Sequence, residues 1–272
     1  MIATIRSEWR KLRFRPAFFV SAGLVTAITA LVYFLSWYQA LHPSTGDRGA
    51  VNILTLFPDQ FVNQVMGAGA VGGAIAIVLG AIYAGSEFSW STLKTMFTQR
   101  PGRLTVWAGR VVVFSLWMGI MAVALFVAGA ALSTVVALFQ GHAITWPAGI
   151  DIAKGFGVIW LIFVVEGAIG LGLGVLIRQS AAALGAGLIY LLAVEIIAVR
   201  FIDSINSGAY QWVGNLFVGQ NATALTQSFT SPAFGRTIAP AISAEHAVLV
   251  LAAYGVGLMI VAAGLLRLRD VT

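Results

Sequence analysis

The sequence predicts an all-α membrane protein with six transmembrane helices. Three observations predict it: charge is scarce, it is segregated, and the uncharged runs are as long as a bilayer is thick. The chain has 272 residues, 59% of them apolar, with 16 Lys and Arg and 10 Asp and Glu. A soluble domain of this length would carry roughly 68 charges, at about 25% of residues. Uncharged runs extend over Pro16–Gly46, Gln60–Ser86, Val111–Ile150, Gln179–Val194 and His246–Leu266. A hydrocarbon core about 30 Å thick takes roughly 20 apolar residues in helical form, so most of these runs can cross it. A soluble enzyme and a disordered chain are both excluded.

The first run, Ala17–Tyr38, follows a basic start but is too long for a signal peptide. No small-x-small site follows it near Gln39-Ala40-Leu41, so it reads as an uncleaved first span. The remaining spans are predicted at Gly67–Ser86, Leu104–Leu138, Ile152–Ile177, Ala181–Val199 and His246–Leu266. The third, about 35 residues or roughly 52 Å, exceeds a bilayer, and its excess is expected to protrude with Arg110 into water. Spans four and five are joined by Arg178-Gln179-Ser180 alone, which predicts a tight helical hairpin.

Basic residues orient the chain. With the N-terminus inside, Arg6, Arg10, Lys11, Arg13, Arg15, Lys94, Arg100, Arg103, Arg110, Arg178, Arg267 and Arg269 face the cytoplasm. Only Arg48, Lys154, Arg200 and Arg236 lie outside. The positive-inside rule therefore places both termini in the cytoplasm. The net charge of +6 does not point to nucleic acid, because the basic residues sit between spans and not on one solvated face. With no cysteine, disulfides, iron–sulfur centres and thiolate metal sites are excluded.

Outside the spans, Ile2, Ile5, Trp9 and Leu12 recur at helical spacing while Arg6, Arg10 and Arg13 take another face. Residues 1–15 thus read as an amphipathic helix in the inner interface, with Trp9 at headgroup depth. Val51–Met66 is apolar enough for a helix lying on the outer interface. The external segment 200–245, over Ala209–Pro240, fits a pair of interfacial or re-entrant short helices. Residues Glu87–Arg103 form a short amphipathic stretch, with Phe88, Leu93, Met96 and Phe97 beside Glu87, Lys94, Arg100 and Arg103, ended by Pro101-Gly102. Such a helix between two spans suits docking into a partner's groove, or equally a plain connector. Glycines cluster at 67–73, 80, 85, 167–174 and 185–187, where small residues let membrane helices pack closely or flex.

Two carboxylates fall within spans. Glu166 lies about 16 Å from the inner end of the fourth span. Glu195 lies in the outer part of the fifth, with Arg200 a candidate neighbour. Each is a candidate for a substrate or proton pathway, or a hydrogen-bonded packing residue. Enzyme constellations are missing: His42, His142 and His246 are scattered, Glu245-His246 reads as an interfacial cap, and no nucleophile elbow or H-E-x-x-H occurs. No phosphate loop of the G-x-x-x-x-G-K-[ST] kind is present, so the chain is not expected to bind ATP itself. No internal repeat supports an inverted-repeat transporter.

The stretch Gly85-Ser86-Glu87-Phe88, Thr92-Leu93, Arg100-Pro101, Arg103 and Gly109-Arg110 resembles the cytoplasmic signature of type-2 ABC transporter permeases. Glu8-Trp9-Arg10-Lys11-Leu12-Arg13 is similar to the family's Glu-x-x-Lys-Leu start, and Arg267-Leu268-Arg269-Asp270 to its Arg-Asp tail. Ser91 stands where Gly is common, and Arg110 where Lys is frequent. The resemblance implies a non-enzymatic permease subunit of an exporter in a bacterial-type cytoplasmic membrane. Its first helix would be the elbow, Glu87–Arg103 the coupling helix, and Arg178 part of a second cytoplasmic contact. It further implies two ATP-binding cassette subunits as partners, carrying ATP and Mg, and a second permease copy or paralogue. Glu87, Thr92, Lys94, Arg100, Arg103 and Arg178 are then the expected ATPase-coupling interface. The aromatics Trp37, Tyr83, Trp117, Trp160 and Tyr190 suit a hydrophobic drug, an antimicrobial peptide or a lipid as cargo. The competing readings are an ATP-independent transporter or channel using Glu166, and a membrane anchor that only recruits a partner.

Overall fold

A computed structural model describes residues 2–42, 52–89, 102–205, 210–229 and 242–268. Among them every regular element is helical. Helix α1 (Ile2–Arg13) leads through Phe14 and Arg15 into α2 (Pro16–Leu41), where Pro16 occupies a first-turn position that needs no amide donor. Two single turns, Ile53–Leu56 and Pro58–Gln60, precede α3 (Phe61–Ser89). Then follow α4 (Arg103–Phe139), α5 (Gly149–Ile177) and α6 (Ser180–Ile189). A π-helical turn, Tyr190–Val194, joins α6 to α7 (Glu195–Ser204). Short helices α8 (Gln211–Gly214) and α9 (Val218–Gln227) precede α10 (Ala244–Leu268).

Among the described residues, five helical stretches are long and apolar enough to cross a membrane: α2, α4, α5, α6 continued into α7, and α10. The expected Gly67–Ser86 span lies inside α3, which bends by 46° between Gly69 and Val71; counted as one broken span it makes six. Leu24, Phe34, Leu192, Ile197, Leu249 and Ile260 are exposed on the outer faces. In water these surfaces would aggregate; in a bilayer they meet lipid.

Helices α3 and α5 form the most extensive pair, with α2 and α4 flanking α3 and α10 flanking α5. Glycine makes that pair possible. A Cβ on Gly80 would run into the Gly167 carbonyl, and one on Gly170 into the Ile77 carbonyl. The two backbones therefore touch directly, the geometry small residues permit in membranes.

Several expectations are corrected here. The stretch expected as a single surface helix over Val51–Met66 is instead two single turns and the start of α3, and Leu56, Phe57, Phe61, Val62, Val65 and Met66 are buried among other helices, with Leu56 and Phe57 packed beside Tyr33, Val136 and Ala137. Pro58 starts a new turn there and folds the apolar residues inward. On α1, Ile2 is exposed, while Ile5, Trp9 and Leu12 pack on protein; Trp9 lies 6.4 Å from Trp117. The fifth span is not one regular α-helix, because the π turn interrupts it. The short helices expected in Ala209–Pro240 are present as α8 and α9, but α9 packs against α10 with Val218, Asn221 and Leu225 buried. Residues 230–241 lie outside the described residues.

Gly170→Val is expected to cost at least about 3 kcal/mol, the upper end of ordinary overpacking, because backbone cannot yield as a side chain does. Gly257, which faces open space, should accept Ala within about 0.5 kcal/mol. Thermal unfolding in detergent checks the pair; equal stability of the two variants would contradict the direct backbone contact.

Candidate functional site

Two constellations of buried charge stand out, one at each functional region the sequence flagged. The first begins on α1. Thr4, Glu8 and Leu12 share one face at i, i+4, i+8 spacing, and all three are buried. A Cβ on Gly109 of α4 would lie 2.9 Å from the Thr4 methyl, so α1 rests directly on α4 at this glycine. One residue on, Arg110 turns back to Glu8, with Nε 3.7 Å from Oε2. The Tyr83 hydroxyl of α3 donates to the same oxygen at 2.8 Å, and Lys11 Nζ donates to Oε1 at 2.7 Å. The guanidiniums of Arg110 and Arg15 both lie over the Tyr83 ring, at 5.4 and 5.5 Å. Arg15 also donates to Ser86 Oγ at 3.0 Å. Phe18, Phe114 and Trp117 close an aromatic shell around this centre.

Glu8 is fully buried and Arg110 is 2% exposed. Burial pushes the Glu8 carboxyl up, but Arg110, Lys11 and Tyr83 together outweigh it and hold the group below its ordinary value of 4.5. Arg110 was expected in water; it is instead enclosed, because α1 packs over this end of α4. Tyr83 and Trp117, candidates for contact with cargo, are spent on this shell.

At the same end of the bundle, Arg178 ends α5 in a left-handed conformation (φ 60°), its amide donating to the Gly174 carbonyl at 3.0 Å. The hairpin that follows presses Ser180 onto Gly85, where a Cβ would come 2.7 Å from the Ser180 nitrogen. Arg178 is thereby brought to the end of α3 that leads into Glu87–Arg103. Glu87 falls in the last turn of α3 and Arg103 in the first of α4. Thr92, Lys94 and Arg100 lie outside the described residues.

The second constellation joins Glu166 of α5 and Glu195 of α7. Glu195 follows the π turn directly, and the turn's extra residue re-aims what comes after it. Its Oε1 accepts from the Gly219 amide and, at 3.3 Å, from the Gln220 amide, both in the first turn of α9. Glu195 therefore neutralises the positive end of that helix. Arg200 is exposed and is not its partner, which corrects the expected pairing. The Tyr190 hydroxyl sits beside the carboxylate, with Tyr254 of α10 nearby.

Glu166 is 4% exposed and packs against α3 at Gly73, where any side chain would collide with its carboxylate. It lines a cavity of about 390 Å³ with Val71 and Ala74 of α3, Ile162, Leu191, Leu192, and Gly219, Ala222, Thr223 and Thr226 around α9. Gly219 thus has the cavity on one side and Glu195 on the other. The Oε2 atom of Glu166 is buried without a hydrogen-bond partner among the described residues. No protein-family model matches the chain, and no curated protein does. Its chemistry is therefore read from these two constellations alone.

The sequence pointed to Glu166, Glu195 and Arg178 but missed Glu8 as a buried charge, Tyr83 as its donor, and the amides of α9. The signal for Glu8 was present: it is the one acidic residue of α1, on the face shared by Thr4 and Leu12.

Replacing Glu8 by Gln removes the buried carboxylate that Arg110, Lys11 and Tyr83 converge on, a change expected to cost about 3–5 kcal/mol. Because the folded-state Glu8 value is depressed, its contribution is present above 4.5 and is lost as pH falls through the lower folded value. Thermal unfolding of wild type from neutral pH to about pH 3 should show that loss. Glu8→Gln should start lower and fall less steeply; parallel curves would contradict the assignment.

Proposed function

We propose that this chain is the permease subunit of an ABC exporter in a bacterial-type cytoplasmic membrane. In this reading it has six spans, with both termini cytoplasmic. Helix α1 is the elbow, and Glu87–Arg103 is the coupling helix, seated on one of two separate ATP-binding subunits that carry ATP and Mg. A second permease copy or paralogue completes the pathway, and the cargo is a hydrophobic drug, an antimicrobial peptide or a lipid.

One observation carries the reading. The motif residues Glu8 and Gly109-Arg110, a hundred positions apart, meet at a buried centre with Tyr83. Tyr83 lies four residues before Glu87 and Arg110 seven after Arg103, so the centre grips both flanks of the segment. A push on that segment passes into α3 and α4 together, and α1 moves with them. Arg178 adds a second contact at the same end through the Ser180–Gly85 packing.

The alternative, an ATP-independent transporter or channel, is favoured by a different observation: a buried carboxylate, Glu166, lining a cavity, with Glu195 buried behind Gly219. It requires ion-gradient-driven flux by the purified chain in liposomes, abolished by Glu166→Gln.

Purification from the native host in mild detergent is expected to bring down a stoichiometric ATP-binding protein. Charge reversal at Arg100 and Arg103 with Glu87→Ala should release it while the permease stays folded, and Ile197→Ala on the lipid-facing surface should not. A monodisperse permease that never carries an ATPase would contradict the proposal.

A further inference from the structure

We propose that the cavity beside Glu166 is a binding site for a lipophilic organic monocation that enters sideways from the bilayer. Charge supports the first half of this. Glu166 is 96% buried by its 4% exposure, and its Oε2 has no hydrogen-bond partner among the described residues. Glu195 adds a second carboxylate behind Gly219, with one oxygen fixed by the α9 amides and the Tyr190 hydroxyl beside it. Charge at this depth is costly unless it meets an opposite charge or a proton. Among the described residues no Lys or Arg lines the cavity.

The walls select an organic ligand over a metal ion. Apart from Glu166, the oxygen-bearing side chains are Thr223 and Thr226, and the Thr226 hydroxyl already donates to the Thr223 carbonyl. A hard cation wants six or more oxygens in a close shell. Val71, Ala74, Ile162 and Leu192 instead offer hydrocarbon. A volume of about 390 Å³ falls in the range of sites for drug-sized molecules.

Access supports the second half. Val71 and Ala74 also border a second cavity, of about 440 Å³, between α2, α3 and Leu188, whose lining is hydrocarbon but for Ser21. Leu192 at the mouth is 65% exposed on a lipid-facing surface. A ligand already partitioned into the membrane meets an apolar vestibule before it meets a carboxylate.

That the bound cation is cargo rests on the permease reading; that it binds does not. The probe is tetraphenylphosphonium, compared with neutral triphenylphosphine oxide, in equilibrium dialysis against the full chain in phosphatidylcholine nanodiscs, with empty discs subtracted. Wild type should bind the cation saturably, at least tenfold tighter than the neutral analogue, and excess sodium should leave binding unchanged. Glu166→Gln should weaken tetraphenylphosphonium at least tenfold and the neutral analogue less than twofold. Leu192→Trp, a substitution at an exposed position, should weaken both by narrowing the cavity. The site is overturned by binding no greater than empty discs, by equal affinity for the two probes, by full retention in a folded Glu166→Gln, or by displacement with sodium. If Glu166→Gln does not fold, the wild-type preference and Leu192→Trp still decide. Binding without a co-purifying ATPase would keep the site and remove the exporter; an ATPase without binding would do the reverse.

Discussion

A carboxylate with no access to solvent must be met by opposite charge and hydrogen bonds, or it will not stay folded where it is. Glu8 is in that position, and its requirements dictate the geometry of one whole end of the molecule. Lys11 from the same helix, Tyr83 from α3 and Arg110 from α4 supply what it needs. Arg110 is equally enclosed, so each charge helps the other to be buried. Apolar packing alone would let α1 slide along the bundle; a three-partner polar centre fixes both register and angle. The tight seat of Thr4 on Gly109 belongs to the same constraint, since the arginine reaches Glu8 only if the helices approach this closely.

Deeper in the bundle the constraint is different in kind. Helices α3 and α5 touch backbone to backbone through Gly80 and Gly170, and this closeness puts Glu166 against Gly73. A bulkier helix pair would force the carboxylate out. The π turn and the first turn of α9 then settle Glu195 by supplying amides in place of a cation. Helix dipoles therefore do at Glu195 what side chains do at Glu8. The Glu166 carboxylate faces a cavity whose walls are mostly hydrocarbon, an arrangement that favours a charged ligand carrying its own apolar body.

Much of the architecture was legible because the membrane imposes simple rules. Runs of uncharged residues gave the long helices, and the Arg178–Ser180 hairpin followed from its three-residue length. What stayed hidden has physical causes. The Val51–Met66 stretch is apolar whether it lies on lipid or packs on protein, and only Pro58 hints at the inward fold. The bend in α3 falls among small residues without a proline to announce it. Arg110 looked solvated because positive-inside reasoning counts charges without asking what covers them. Glu195 looked like a partner for Arg200, five residues away, because a backbone amide partner from α9 leaves no mark in side-chain composition. The Glu8 cluster was half visible: its motif residues were recognised, but no local pattern links positions 8, 83 and 110.

The central claim is that Glu8 and Arg110 act as one unit holding α1 to the flanks of residues 87–103. A double-mutant cycle on thermal unfolding, using Glu8→Gln, Arg110→Gln and the double variant, tests it most directly. The two changes should be strongly non-additive, with a coupling of about 3 kcal/mol, the double variant being little worse than either single one. Additive losses would mean that the two residues stabilise the fold independently, and the buried centre would no longer explain how the segment between them is held.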